Sequence, residues 1–332
     1  MKLSIFIPVF RESEHLEKLI KNLLSDSFKD KEIFVIVDEP SEKTLELARK
    51  YKGKVNFILN KERKGKVNAI NENIWRAKGE IIIFLDADVE INEENFLSIV
   101  YDKIKDAVLL DIKKEIIQNS ALSKLIAYEY LAYDIVNYVL SKTTGQIFML
   151  NGAGFAIKKE ALLKIGGLPK LIVEDVAVAL ESIKHKLKCK FCNEVGIRTE
   201  APNSIKSYIK QRIRWGSGGG EVIKKYKKEL LKYAMKNFWI VLPCLLIYYP
   251  PVVLLIFLPM LLHNLFYGLI ATTTFLIFLS GTFILFSKKL KVKVHLTILP
   301  LYYLYINFSF LVLLIFSIQG FTKRKSLPNW KI

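Results

Sequence analysis

Residues 80–88 read Glu80-Ile81-Ile82-Ile83-Phe84-Leu85-Asp86-Ala87-Asp88. Five consecutive apolar residues, three of them β-branched, suit a short strand covered on both faces. The run stops on two carboxylates one residue apart. Ligands collect at the carboxyl ends of strands in open α/β sheets, so this stretch bears on both the fold and the chemistry.

Outward from it the same pattern recurs. Residues 2–9 and 32–38 read as buried strands, and Val55 to Leu59 as a shorter one. Helical spacing separates them, first at Leu16, Leu19, Ile20, Leu23 and Leu24, then over Ser41 to Tyr51 and Asn68 to Ala77. Strands alternating with helices predict an α/β fold with a mainly parallel, Rossmann-like sheet covered on both faces. Two of the strand ends are acidic, at Asp38 and Asp86. Further along, residues 147–157 read as a strand and Glu160 to Ile165 as a helix ending at Gly166-Gly167. The helical stretch Ala121 to Leu140 carries Tyr128, Tyr130, Tyr133 and Tyr138; it reads either as an ordinary packed helix or as one lying at a membrane interface, which tyrosines favour.

The chain has 332 residues, 52% of them hydrophobic, yet it carries 50 Lys and Arg and a net charge of +18. The two properties separate along the sequence. Charge dominates to about residue 236, and three apolar stretches follow at 238–258, 264–286 and 296–318. Each is about long enough to cross ~30 Å of hydrocarbon as a helix. The first contains Pro243, Pro250 and Pro251, so it is expected to be kinked, broken or re-entrant. Six lysines between Lys224 and Lys236 and four more in 287–295 read as cytosolic flanks. Three full crossings would leave the basic tail outside, whereas a re-entrant first stretch would return it to the cytosol. This division assigns the positive charge to lipid headgroups and phosphorylated substrates rather than to nucleic acid. No leader segment precedes the first strand, so the N-terminal domain is expected in the cytosol and the protein in the cell membrane. Cys189 and Cys192 have the spacing of a zinc half-site without a second pair of ligands, and are expected to pack on a strand with no disulfide.

Five groups of residues could carry chemistry. Asp86 and Asp88 could face one hard cation, Mg²⁺ or Mn²⁺; the alternative is an acidic turn. Asp38 could accept from a base or ribose, and Ser41 caps the next helix. Glu174-Asp175 sits at a helix start, where it could simply cap or place Asp175 as a general base. On a helix, Gln211, Arg214 and Trp215 share one face, offering an amide, a guanidinium suited to diphosphate and an indole on which a sugar can stack. The competing reading is a basic helix lying on lipid. Lys64-Gly65-Lys66 suits a phosphate or a solvated turn, and Gly216-Ser217-Gly218-Gly219-Gly220 reads as a flexible loop or linker.

The ordered set Ile7-Pro8-Val9-Phe10-Arg11-Glu12, Val37-Asp38, Gly65-Lys66 with Asn71, Asp86-Ala87-Asp88, Glu174-Asp175 and Gln211-x-x-Arg214-Trp215 resembles glycosyltransferase family two. Within it the resemblance is to the membrane-bound branch of cellulose, chitin and hyaluronan synthases, over residues 3–215 and again in the tail from Gly320 to Lys331. It implies a GT-A fold, a nucleoside-diphosphate sugar donor (UDP-linked) and a divalent metal held at Asp86 and Asp88. It places Pro8, Glu12, Asp38, Lys66, Asp86, Gln211 and Arg214 about the nucleotide sugar, Trp215 at the acceptor, and Glu174 and Asp175 in catalysis. The expected activity is inverting, metal-dependent sugar transfer to a glycan or lipid-linked acceptor near the membrane. The expected division is 1–220 for the catalytic domain, 221–237 for a basic interfacial segment, 238–320 for two to three membrane helices and 321–332 for a basic tail. Arg11 stands where the family usually has Asn, Glu39 where a second Asp is common, and Val173 where Thr is usual. Two other functions compete: a polyprenyl-phosphate sugar transferase, and a non-catalytic membrane scaffold with a degenerate nucleotide-sugar domain.

Overall fold

The computed structural model describes residues 1–248, 259 and 262–322. Contacts divide the chain into two units, one of Met1–Glu115, Thr144–Lys170 and Glu174–Glu200, the other of Ile116–Thr143, Leu171–Val173 and Ala201–Ile332.

The first unit is built on a seven-stranded sheet in the order β3-β2-β1-β4-β6-β5-β7. Its strands are β1 Leu3–Phe10, β2 Lys31–Asp38, β3 Asn56–Asn60, β4 Ile81–Leu85, β5 Leu109–Ile117, β6 Gly154–Lys158 and β7 Cys189–Glu200. Strands β1 to β4 run parallel, while β6 is antiparallel to both β4 and β5. Side chains alternate between the two faces, as the pleat requires. Leu3, Ile5, Ile7, Val35, Val37, Ile81, Ile83 and Leu85 point to one face, which α1 (Leu16–Ser25), α2 (Glu42–Lys50) and α4 (Phe96–Ile104) cover. Phe6, Phe34, Ile36, Ile82 and Phe84 point to the other, covered by α3 (Lys66–Asn71), α6 (Lys159–Lys164) and α7 (Glu174–Lys184). Each such side chain contributes roughly 1.5–3 kcal/mol by leaving water. The mostly parallel sheet with helices on both faces is the one the alternation predicts.

Two local differences have physical reasons. The strand expected at 147–157 begins only at Gly154, because the Gly152 and Ala153 amides donate to side chains, Asp175 and Asn151, instead of a neighbouring strand. Strand β5 escapes a reading by apolar alternation because it buries Lys113 and Lys114, the latter ion-paired with Asp111. Cys189 and Cys192 lie buried in β7 as free thiols, as expected.

The second unit is helical: α5 (Ala121–Thr143), α8 (Ile205–Lys236), α9 (Phe238–Tyr248), α10 (Leu265–Lys289) and α11 (Leu299–Thr322). Among the described residues two segments, Leu265–Lys289 and Leu296–Thr322, are long and apolar enough to cross a membrane; α8 and α9, bent by 111° at their junction, would be a third if they form one broken span. Pro243 falls inside α9. The rest of the first apolar stretch, with Pro250 and Pro251, and the tail from Lys323 lie outside the described residues.

Helix α5 is a packed helix. Tyr128 is fully buried, stacks on Tyr302 at 5.1 Å, meets Phe283 edge-on at 5.5 Å and donates to the His295 carbonyl at 3.1 Å. The run Gly216–Gly220 is neither a loop nor a linker but the middle of α8. A Cβ on Gly220 would stand 2.1 Å from the Ser317 carbonyl oxygen, one on Gly216 2.8 Å from that of Leu313, and one on Gly320 2.1 Å from that of Ser217. Glycine costs helix propensity of about 1 kcal/mol each. Here that cost is offset by backbone contact between α8 and α11 that no larger residue allows.

Candidate active site

The site of the first unit forms where β1, β2 and β4 end. Asp38, the last residue of β2, is 5% exposed. Its Oδ1 accepts from Asn60 Nδ2 at 2.9 Å, and its Oδ2 accepts from the Lys64 and Gly65 amides at 3.0 and 2.7 Å. Gly65 has φ +81°, a conformation that favours glycine. Asp38 thus fixes the Lys64-Gly65-Lys66 turn, and this turn starts α3 with Lys66 aimed back at β4.

Lys66 is the centre of the cluster. Its Nζ lies 2.8 Å from Asp86 Oδ1 and 3.0 Å from Glu174 Oε1. Burial pulls its ammonium down, but the charges of Asp86 and then Glu174 outweigh burial and hold its pKa well above the usual lysine value. It therefore stays charged. Glu174, 13% exposed, and Asp175 open α7. Asp175 accepts from the Gly152 amide at 2.6 Å and from the Val176 amide at 2.8 Å. Burial, then the neighbouring charge of Glu174, push its carboxyl up to about 6. Gly152 makes room for this: a Cβ there would come within 3.0 Å of Asp175 Oδ2 and 3.2 Å of Lys66 Nζ.

Asp88 is exposed beyond the strand end. Partial enclosure, followed by the charge of Asp86, raises its pKa above the ordinary carboxylate value. Ser13 donates to the Ala87 carbonyl at 2.8 Å and ties the loop after β1 to this acidic turn. Pro8 is half-buried in β1; exposed Glu12 accepts from Ser41 Oγ at 2.7 Å. Ser41 also caps α2 through the Thr44 amide, as expected. Asn71 clamps the turn after α6, exchanging two 2.8 Å bonds with the Leu168 backbone.

Of the residues expected in the site, the structure brings together Asp38, Lys66, Asp86, Glu174 and Asp175. Gln211, Arg214 and Trp215 belong to the second unit, all half-buried on α8. Trp215 packs there against a cluster of Ile116, Ile126, Ala127, Tyr130 and Tyr208. Gly152 escaped the sequence reading because its role is carried by the backbone. Arg212 and Glu129 escaped it as well. Both are buried and ion-paired, 83 residues apart in sequence. Arg212 adjoins Gln211 in sequence, but nothing local marks Glu129 as its partner.

Comparison with known proteins agrees with this architecture. Residues 4–166 match the profile of Glycosyl transferase family 2. Poly-β-1,6-N-acetyl-D-glucosamine synthase of Staphylococcus epidermidis is 28% identical over 243 residues, covering 71% of this chain and 56% of the relative. The synthase of Staphylococcus aureus strain COL is 28% identical over 229 residues, covering 67% and 55%. The chain thus spans little more than half the length of these curated relatives. Among solved structures, a mannosyltransferase of Pyrobaculum calidifontis in complex with GDP-Man and Mn²⁺ superposes with a TM-score of 0.61 at 15% identity, covering 98% of this chain and 88% of that one. S. aureus TarS 1-349 in complex with UDP-GlcNAc gives 0.50 at 13% identity, covering 97% and 90%. The sheet is a GT-A sheet. Residues 4–166, just under half of the chain, are a Glycosyl transferase family 2 domain.

Proposed function

We propose that the protein is a membrane-embedded inverting glycosyltransferase that moves a sugar, N-acetylglucosamine in the first instance, from a UDP-linked donor to a glycan acceptor near the membrane. The observation that carries this reading is the cluster of Lys66, Asp86, Glu174 and Asp175 at the strand ends. Its cation and carboxylates sit where an open α/β sheet collects ligands. The choice of sugar rests on the 28% identity to poly-β-1,6-N-acetyl-D-glucosamine synthases.

Asp175 is the general base. Two backbone amides orient its carboxylate, and a pKa near 6 leaves it ionised at neutral pH yet basic enough to take a proton from an acceptor hydroxyl. Glu174 holds Lys66, and Lys66 offers a permanent positive charge to the donor diphosphate. Asp38 contributes by shaping the Lys64-Gly65-Lys66 turn, and from the same place it borders the nucleotide. Gln211 and Arg214 contact the diphosphate and Trp215 the acceptor sugar.

The side chains at the end of β4 fit a divalent metal. Asp86 and Asp88 are hard oxygen ligands one residue apart, and enclosure, followed by the like charge of Asp86, raises the pKa of Asp88. Among the described residues no three His, Cys, Asp or Glu are grouped to hold an ion, so donor oxygens and water would complete a shell begun by these two. Bound there, Mg²⁺ or Mn²⁺ supplies charge neutralisation for the departing diphosphate. The catalytic domain, residues 1–220, faces the cytosol, followed by the basic segment 221–237 at the lipid surface, membrane helices within 238–320 and the tail 321–332.

The test is nucleotide release by the purified full chain, in detergent, from a panel of nucleotide sugars with Mg²⁺ or Mn²⁺. UDP-N-acetylglucosamine should give UDP release that rises with a short N-acetylglucosamine oligosaccharide and stops on chelation with EDTA. Release from no member of the panel would overturn the enzyme reading, and release untouched by exhaustive chelation would remove the metal.

A further inference from the structure

The helical unit buries a charged network that the proposed reaction does not use. Arg212 of α8 is 0% exposed and ion-paired with Glu129 of α5, itself 2% exposed. Glu129 Oε1 also accepts from Ser309 Oγ of α11 at 2.6 Å. Three helices therefore meet on one carboxylate. The guanidinium of Arg212 has two further neighbours: its central carbon lies 4.4 Å from the Trp215 ring centroid and 4.7 Å from that of Tyr208. Its Nε and Nη1 have no hydrogen-bond partner among the described residues. The two aromatic rings flank the guanidinium in a cation–π arrangement that burial strengthens.

A buried charge is costly unless its partners are fixed. The Glu129 carboxylate holds Arg212, and Arg212 in turn sits one helical turn from Trp215 and against its ring. We infer that Arg212 is the positioning residue of Trp215, and that Glu129 and Ser309 hold Arg212 in place, so that the indole presents a fixed face. The inference deepens the proposed acceptor role of Trp215 and rests on it for its functional consequence. A fixed stacking platform lowers the ordering cost of binding a sugar ring, so loosening it should act on the acceptor and spare the donor.

The experiment uses the full chain in detergent micelles with Trp75, Trp239 and Trp330 replaced by Phe, leaving Trp215 as the single tryptophan. Arg212→Lys, Glu129→Gln and the milder Ser309→Ala are compared by acrylamide quenching of Trp215. Their steady-state kinetics use UDP-N-acetylglucosamine and an N-acetylglucosamine oligosaccharide as acceptor probe. The expected result is increased quenching in the order Ser309→Ala, Arg212→Lys, Glu129→Gln. The acceptor KM should rise up to about tenfold while the donor KM stays within about twofold. Quenching identical to the parent in all three variants would overturn the inference. So would donor and acceptor KM moving together with a fall in thermal stability, which is the mark of a merely structural pair. Increased quenching with an unchanged acceptor KM would support the positioning of Trp215 by Arg212 and overturn instead the acceptor role of Trp215.

Discussion

The chain concentrates charge in two places, and the places differ in kind. At the strand ends of the first unit, Lys66, Asp86 and Glu174 form a cluster that remains about one-third exposed at Lys66 and Asp86. In the helical unit, Arg212 and Glu129 are fully enclosed by α5, α8 and α11. An open cluster can exchange one partner for another, because water and ligand can replace what is given up. A closed pair has no substitute within reach. On the proposed mechanism the same two charge types would serve reaction in one unit and hold Trp215 in the other, and single substitutions should separate them.

The largest effect is expected at Asp175. Asp175→Asn keeps an oxygen able to accept one amide hydrogen bond but cannot take a proton, so turnover should fall about 10²–10⁴-fold while UDP binding is retained. Single-turnover rates and UDP titration read both quantities; wild-type turnover would reduce the acidic pair to a helix cap. Next comes a matched pair of substitutions aimed directly at the contrast. Lys66→Met should cripple donor use yet change unfolding free energy by no more than about 1 kcal/mol, because its ion pairs are partly solvated. Arg212→Met should cost about 3–5 kcal/mol by leaving Glu129 buried without its partner. Thermal or denaturant unfolding in detergent compares them, and equal losses would erase the distinction between an open and a closed cluster.

How much of this could be read beforehand follows from the same contrast. Strand ends announce themselves, since a run such as Ile81 to Leu85 has to stop somewhere and Asp86 marks the stop. Continuous apolar runs located β1 to β4, and with them Asp38 and Asp86. The charged residues of β5 interrupt any such run, so the strand went unseen. Lys66 could be named, but its bond to Asp86 could not, because the Lys64-Gly65-Lys66 turn is aimed by Asp38, 26 residues away. Glu129, Arg212 and Ser309 come from three helices, and no local period links them. The glycines of 216–220 misled because propensity is a weak local signal that packing overrode.

Smaller effects sharpen the picture further. Gly220→Ala in the helical unit should destabilise by about 1–3 kcal/mol through overpacking against the Ser317 carbonyl, with donor affinity unchanged. In the first unit, the raised pKa of Asp175 predicts a pH effect with a definite sign. The base works deprotonated, so below about pH 6 the acceptor-dependent kcat/KM should fall tenfold per unit. The same shift means that the folded state holds this proton more tightly than the unfolded one. Asp175 therefore opposes folding above about pH 6, and the opposition is lost as pH falls towards its ordinary value of 3.8. A flat rate profile down to pH 5 would place the base elsewhere. The smallest effect is at Arg11, which has φ 60° in the left-handed region, as does Glu39 with φ 51°. The resembled family prefers Asn and Asp at these positions, residues that tolerate this backbone well. Here Arg11 and Glu39 instead pair on the surface at 3.3 Å. Arg11→Asn should stabilise by about 0.5 kcal/mol, the relief of backbone strain slightly exceeding the loss of an exposed ion pair.

The contact between α8 and α11 also restricts how the helical unit can move. Sliding α8 by one turn in either direction would bring Arg212 or Lys224 to a spot now held by Gly216 or Gly220, where even a methyl group has no room. The two helices therefore have a single register and no neighbouring one to slip into. A displacement that reaches Trp215 along α8 must carry α11 and its Ser309 as one body. Ser309, which donates to Glu129, then moves together with Trp215.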